Sequence, residues 1–282
     1  TEEPGMSGMS IVTYDRHIEL DIKTKEPFDR IWAFHHREAP LLTVPDSLSD
    51  GICCPALDND EMTLIPLSRP VEQIRLCASV ADSSFAHSAF YGFSLENGRS
   101  GVLYHSFGIN GNTYAAINRN PQIVRQASGL CPDLVIVSLG TNDSYGASFD
   151  PADADVQITR LIDSIRRNMP ASVLLLTTPM EHCRRIRSKG RTYRKPNPNA
   201  CAMRECILRQ AALYRLPVWD FYAAAGGDGA MGRWADLGIA NADRVHLSRE
   251  GYRLQGKLFY DAIMKAYDHY RKHNGELKIL LN

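Results

Sequence analysis

The sequence predicts an α/β fold: a doubly wound, mostly parallel sheet over residues 99–282, preceded by a β-rich sandwich or jelly roll over residues 1–98. Three observations predict it. After about residue 100, continuous apolar runs alternate with stretches of 3–4 spacing, as strands buried on both faces alternate with helices. Before that point the rhythm is short and has a period of two. Polar turns rich in Gly, Asn and Asp follow the apolar runs, where such sheets place their sites.

The bulk numbers set the frame. The chain has 282 residues, enough for one large or two modest domains. Hydrophobic residues make up 44 %, with no run long enough to span a membrane. Lys+Arg and Asp+Glu balance at 32 each, which argues against a dedicated nucleic-acid binder. The cysteine count, seven, is odd and no Cys-x-x-Cys occurs, so neither a disulfide framework nor a zinc site is signalled. The expectation is small buried hydrophobes.

In the first domain, Ile18, Leu20 and Ile22 alternate with polar residues, the pattern of a half-buried strand. "FDRIWAF", "MTLIPL", "VEQIRLCASV" and "SAFYGFSLEN" are further strands, punctuated by Pro, Gly, Asp and Ser. Trp32 is a core residue in the plainer view and a sugar platform in the other. His35 and His36 are adjacent, point to opposite faces of a strand and make a poor metal pair. No metal and no cofactor is predicted.

In the second domain, "GVLYHSF", "DLVIVSL", "ASVLLLTTP" and "LPVWD" read as strands. Ile158, Leu161, Ile162, Ile165 and Met169 mark one helix; Met203, Cys206, Ile207, Gln210 and Tyr214 mark another. A last helix follows Ser248 as N-cap and is expected to bury Leu254, Leu258, Phe259, Ala262, Ile263, Ala266 and Tyr267. "CRRIRSKGRTYRKPNPN" carries seven basic residues from Arg184 to Lys195 and reads as a solvated loop. Its functional alternative is a lid that draws in an anionic substrate, with Arg191 and Lys195 as contacts.

Three segments carry candidate chemistry. Gly108 and Gly111 flank Asn110 after the first strand of the second domain. Gly140-Thr141-Asn142-Asp143 closes the second strand, and Asp243 and His246 sit three apart before the last helix. Singly, the glycines need only serve tight turns, Asn142 and Asp143 a helix cap, and His246 a structural role. Together they are the parts of acyl transfer: donors for an oxyanion, an imidazole base and a carboxylate to orient it.

In this order, "GINGNTY", "LGTNDSYG" and Asp243-Arg-Val-His246 resemble the second, third and fifth blocks of the SGNH/GDSL hydrolases. The resemblance covers residues 100–282 and is similar to a bacterial subgroup that includes peptidoglycan O-acetylesterases. It implies a flavodoxin-like three-layer sheet, with a β-rich, carbohydrate-binding-like domain inserted after the first block. It implies His246 as general base, Asp243 as its orienter, and Asn142 and Gly111 as oxyanion donors. The substrate implied is an acylated glycan or other small ester, with no nucleic acid and no membrane span, in the periplasm or outside the cell.

The first block, Gly-Asp-Ser, occurs nowhere in the chain. Asp82-Ser83 is the nearest string, but it lacks the glycine, and a turn serine is the plainer reading of Ser83. The other account is that strand 1 of the flavodoxin-like order 2-1-3-4-5 is not in this sequence, which leaves a gap between "VLYHS" and "LVIVS". A catalytically inactive glycan-binding module of the same fold is the alternative function.

Overall fold

A computed structural model describes residues 5, 8–50, 54–55, 61–80 and 86–280. It contains ten strands and eight helices among the described residues, in two compact units.

The first unit comprises Thr1–Asn110, Arg119–Pro132 and Arg167–Pro170. Its strands are β1 (Ile11–Thr13), β2 (His17–His35), β3 (Cys54–Pro55), β4 (Met62–Ser79) and β5 (Ser88–Glu96). They form one antiparallel sheet in the order β1-β5-β2-β4-β3. The alternation read from Ile18 to Ile22 and the separate "FDRIWAF" run belong to a single strand, β2, of 19 residues. "MTLIPL" and "VEQIRLCASV" are likewise one strand, β4. Pairing of β2 with β4 lapses between Lys23 and Phe28, and residues 67–70 have no β2 partner. Pro27 and Pro70 fall in these lapses, where a missing N–H costs no ladder bond.

Alternation decides the two faces of this sheet. Ile31, Ala33, Ile65, Ile74, Leu76 and Phe90 bury one face under Leu42 and Leu48, which lie on the irregular segment after β2. Phe34, Met62, Ala89 and Tyr91 bury part of the other, with Phe107 and Leu130 packed on them. The expected sandwich or jelly roll is therefore not present among the described residues. A single sheet is covered by loop side chains and the helix that precedes Leu130, so no second sheet is needed to bury it. That helix is α2 (Gln122–Ser128), which follows α1 (Tyr114–Arg119). A Cβ at Gly129 would collide with the Met62 sulfur, so glycine sets that approach. Trp32 is half-buried against this second face. His35 is buried, its Nε2 2.8 Å from the Thr63 hydroxyl, and burial lowers its pKa.

The second unit comprises Gly111–Asn118, Asp133–Arg166 and Ala171–Asn282. β6 (Leu134–Ser138) ends at α3 (Thr141–Tyr145), followed by α4 (Pro151–Asn168) and β7 (Val173–Thr177). β8 (Cys183–Ser188) and β9 (Arg191–Pro196) form a hairpin, then come α5 (Pro198–Tyr214), β10 (Val218–Trp219), α6 (Phe221–Ala224), α7 (Ala230–Asp236) and α8 (Arg249–Leu280). β6, β7 and β10 form a parallel sheet in the order β10-β7-β6. The spacing pattern places α4 as expected, with Ile158, Leu161, Ile162 and Ile165 buried. α5 buries Met203, Cys206, Ile207 and Gln210, and Gln210 takes a 3.1 Å hydrogen bond from the Thr159 hydroxyl.

Four expectations need correction. Residues 102–106 form no strand, and Val102 is 94 % and Tyr104 80 % exposed. β6 is not buried on both faces: among the described residues it pairs with β7 alone, and Leu134 and Ser138 are exposed. An apolar run becomes a buried strand only with ladder partners on both sides, and both segments lack one. α8 has its N-cap, for the Ser248 hydroxyl accepts from Gly251 N at 3.3 Å. Yet Leu254 and Leu258 are only half-buried, against the cluster around Phe221 and Trp234, and Ala266 and Tyr267 are exposed. Fourth, the basic segment is a regular hairpin rather than a loop, closed by Lys189 (φ 47°) and Gly190 (φ 74°). Positive φ at both central residues is the twist that two-residue hairpin turns require.

Of the cysteines, Cys183 and Cys206 are buried, Cys77 and Cys201 half-buried and Cys131 exposed, and all five are free thiols. No described helix is long and apolar enough to cross a membrane.

Candidate active site

The loop between α7 and α8 brings together Asp243 and His246, the candidate acid–base pair. A bridge between Ala240 and Leu247 closes it, with Asn241 N donating to His246 O at 2.8 Å and Arg244 N to Asn241 O at 2.9 Å. Arg244 adopts φ 54°, the left-handed conformation that such a tight loop demands. Asp243 Oδ1 accepts the backbone N–H groups of Val245 (2.9 Å) and His246 (3.0 Å), and Oδ2 lies 2.7 Å from His246 Nδ1. Burial alone would raise the Asp243 pKa. The bonds from the His246 ring and the two N–H groups outweigh it and hold the carboxyl down at about 2. Asp243 thus stays ionised at neutral pH and fixes the ring through Nδ1. Nε2 carries no hydrogen bond among the described residues, on an imidazole whose side chain is 65 % exposed.

The turn after β6 builds the amide. Gly140 has φ 113°, and a Cβ there would press on Met203 and Pro179, so only glycine makes this turn. Asn142 is exposed, and its Nδ2 donates to Asn112 O at 2.9 Å. One N–H of the amide is anchored; the second remains available as a donor. Gly111, beside that acceptor, has φ 74° and an N–H with no partner among the described residues. Asp143 turns inward instead, accepting Tyr114 N at 2.9 Å through Oδ1 while Oδ2 is buried with no partner among the described residues. Burial raises its pKa, and the N–H bonds from Tyr114 and the turn only partly oppose this.

A buried polar chain connects the two parts. Asn197 is 2 % exposed and donates through Nδ2 to Ser144 O (2.8 Å) and to His182 Nε2 (3.2 Å). Its backbone N donates to His182 O, and the next residue, Cys183, donates its N–H to Arg244 O at 2.8 Å. The Asn142 turn and the Asp243–His246 loop are therefore tied through Asn197, His182 and Cys183. Sequence reading did not single out Asn197 or His182. The available signal was Asn197-Pro198, an N-cap followed by proline at the first helical position, and Asn197 does cap α5.

Arg191 and Lys195 lie exposed on the β8–β9 hairpin. The hairpin meets the acid–base loop, since Arg194 Nη1 donates to Asp243 O at 2.6 Å. Ser83 lies outside the described residues. Among the described residues no cluster of His, Cys, Asp and Glu could hold a metal.

One solved structure shares the fold over most of the chain. A structure titled "Peptidoglycan O-acetylesterase in action, 5 min" matches with a TM-score of 0.65 and 19 % identity, over 94 % of this chain and 73 % of that one. An acetyl xylan esterase (TM-score 0.43, 18 % identity) matches over 55 % of this chain and 78 % of its own. A GDSL-like lipase from Bacteroides thetaiotaomicron (TM-score 0.41, 20 % identity) matches over 55 % and 73 %. No curated protein matches the chain. The model of the GDSL-like Lipase/Acylhydrolase family matches residues 81–254, which include the Asn142 turn and the Asp243–His246 loop. With that match over more than half of its length, the chain belongs to the GDSL-like lipase/acylhydrolase family.

Proposed function

We propose that the protein is a serine esterase of SGNH type that removes O-acyl groups, O-acetyl above all, from a carbohydrate or cell-wall glycan. The carrying observation is the 2.7 Å contact of Asp243 Oδ2 with His246 Nδ1, which leaves Nε2 on an exposed ring. In the reaction, Nε2 takes the proton of a serine hydroxyl as its oxygen attacks the ester carbonyl. Gly111 N–H and the second N–H of Asn142 receive the developing oxyanion. His246 returns the proton to the departing sugar hydroxyl, and water then releases the acid from the acyl-serine by the same steps. The family match supports an acyl hydrolase, and the likeness to a peptidoglycan O-acetylesterase supports a glycan substrate. Such a substrate lies in the periplasm or outside the cell, where we place the protein.

The serine comes, in this account, from a Gly-Asp-Ser strand that the present sequence does not contain. The edge of β6 and the exposed residues 102–106 support it, for neither has a further ladder partner among the described residues. Ser83 is the internal alternative. Release of acetate from an O-acetylated glycan by the native-length protein tests the activity. His246→Gln should abolish it, and undiminished turnover by that variant would remove His246 from the mechanism. The absence of Gly-Asp-Ser favours a second reading, an inactive glycan-binding module. Saturable glycan binding without acetate release would establish that one.

A further inference from the structure

The β8–β9 hairpin has a charge pattern that does not stabilise it. Arg185 faces Arg194 directly, and Arg184 faces Lys195. Like charges set opposite one another across strands are destabilising. None of the seven basic side chains pairs with a carboxylate among the described residues. An external anion placed between the facing cations would relieve that repulsion.

The register says which side would take it. Paired residues share a face, and faces alternate along each strand. Cys183, Arg185, Arg187, Thr192 and Arg194 therefore share one face, and Arg184, Arg191, Tyr193 and Lys195 the other. The first face is tied to the Asp243–His246 loop through a side chain: Arg194 Nη1 donates to Asp243 O. Arg185 and Arg187 are exposed on that same face. Guanidinium groups match carboxylate and phosphate oxygens two at a time, and a lysine cannot reproduce this fork.

We propose that the face bearing Arg185, Arg187 and Arg194 is an anion-reading surface beside the Asp243–His246 loop. Its ligand is an acylated glycan that carries repeated carboxylate or phosphate groups. The inference rests on the esterase reading only for the acyl group; the charge recognition stands by itself. Arg191 and Lys195, on the opposite face, contribute long-range attraction rather than contact.

The test is binding by the native-length protein to polygalacturonate, a polycarboxylate glycan, at low and physiological salt. Binding is expected to weaken as salt rises. Arg185→Glu with Arg187→Glu should raise Kd about tenfold or more, and Arg185→Gln with Arg187→Gln should raise it by less. Both residues are exposed, and a glutamate opposite Arg194 replaces a repelling pair, so folding is not at risk. Lys265→Glu with Lys272→Glu makes the same change of net charge on α8 and should leave Kd within about twofold. Displacement by inorganic polyphosphate in place of polygalacturonate would identify the oxyanion as phosphate. Equal weakening by both double reversals, or no binding to either polyanion, would overturn the proposal. Tighter binding of a single-stranded oligonucleotide would overturn the glycan assignment. Turnover of a neutral aryl acetate by the unsubstituted protein reports on the esterase reading separately.

Discussion

His246 gains its orientation from a carboxylate that is itself held by two N–H groups, so the pair is set before any substrate arrives. The Asp243 pKa lies below the ordinary unfolded value of about 3.9. The stabilisation linked to it is therefore full above that value and lost as pH falls toward about 2. The carboxyl carbon of Asp243, followed by NMR, should titrate near pH 2; a midpoint near 4 would show the His246 bond absent in solution. Asn142 is anchored through one N–H to Asn112 O, which aims the other without fixing it to the protein. Asn142→Ala should lower kcat by about 10²–10³ with little change in KM. A rise in KM at constant kcat would assign Asn142 to ground-state binding instead. Asp143, next to it, has the opposite character. Its raised pKa means that its buried charge costs stability at neutral pH, and stability increases as pH falls through that pKa. Asp143→Asn keeps an acceptor for Tyr114 N and should hold or raise Tm. Asp143→Ala should cost about 1–3 kcal/mol in chemical denaturation, because that N–H loses its partner.

At the scale of elements, the site depends on the contact between α8 and the loop that precedes it. A Cβ at Gly251 in the first turn of α8 would collide with the Ile239 carbonyl oxygen, so glycine lets the helix seat against the loop that carries His246. Gly251→Ala should lower Tm and kcat together, as calorimetry and kinetics would record; unchanged values for both would remove this contact from the account. The legibility of the sequence follows the same division. The Gly140–Asp143 turn and the Asp243–His246 contact were legible because their geometry is local: a glycine at positive φ, and a carboxylate three residues from an imidazole. α4 and α5 were legible because one buried face repeats with helical spacing. The hairpin was not, because its alternating residues are charged rather than apolar; Lys189-Gly190 between two basic runs was its only signal. Residues 102–106 misled for the reverse reason. Their apolar run is that of a strand, but a run states what a segment would bury and not whether a neighbour is present. β2 and β4 each read as two strands because prolines interrupt the alternation, while the ladder resumes beyond each lapse.

For the molecule as a whole, the parallel order β10-β7-β6 corresponds, on the proposed account, to strands 5, 4 and 3 of a flavodoxin-like order whose first two strands are not among the described residues. The half-buried apolar stripe of α8 and the exposed edge of β6 tell the same story from within the second unit. The account's central claim is that His246 activates a serine. The most direct test is to treat the native-length protein with a fluorophosphonate and locate the modified residue by peptide mass analysis. The account predicts one labelled serine, in a Gly-Asp-Ser block outside the present sequence, with labelling lost in His246→Gln. Labelling at Ser83 would assign the nucleophile within this chain. Absence of labelling from a folded protein that still binds glycan would contradict the claim and leave a binding module with the family's fold.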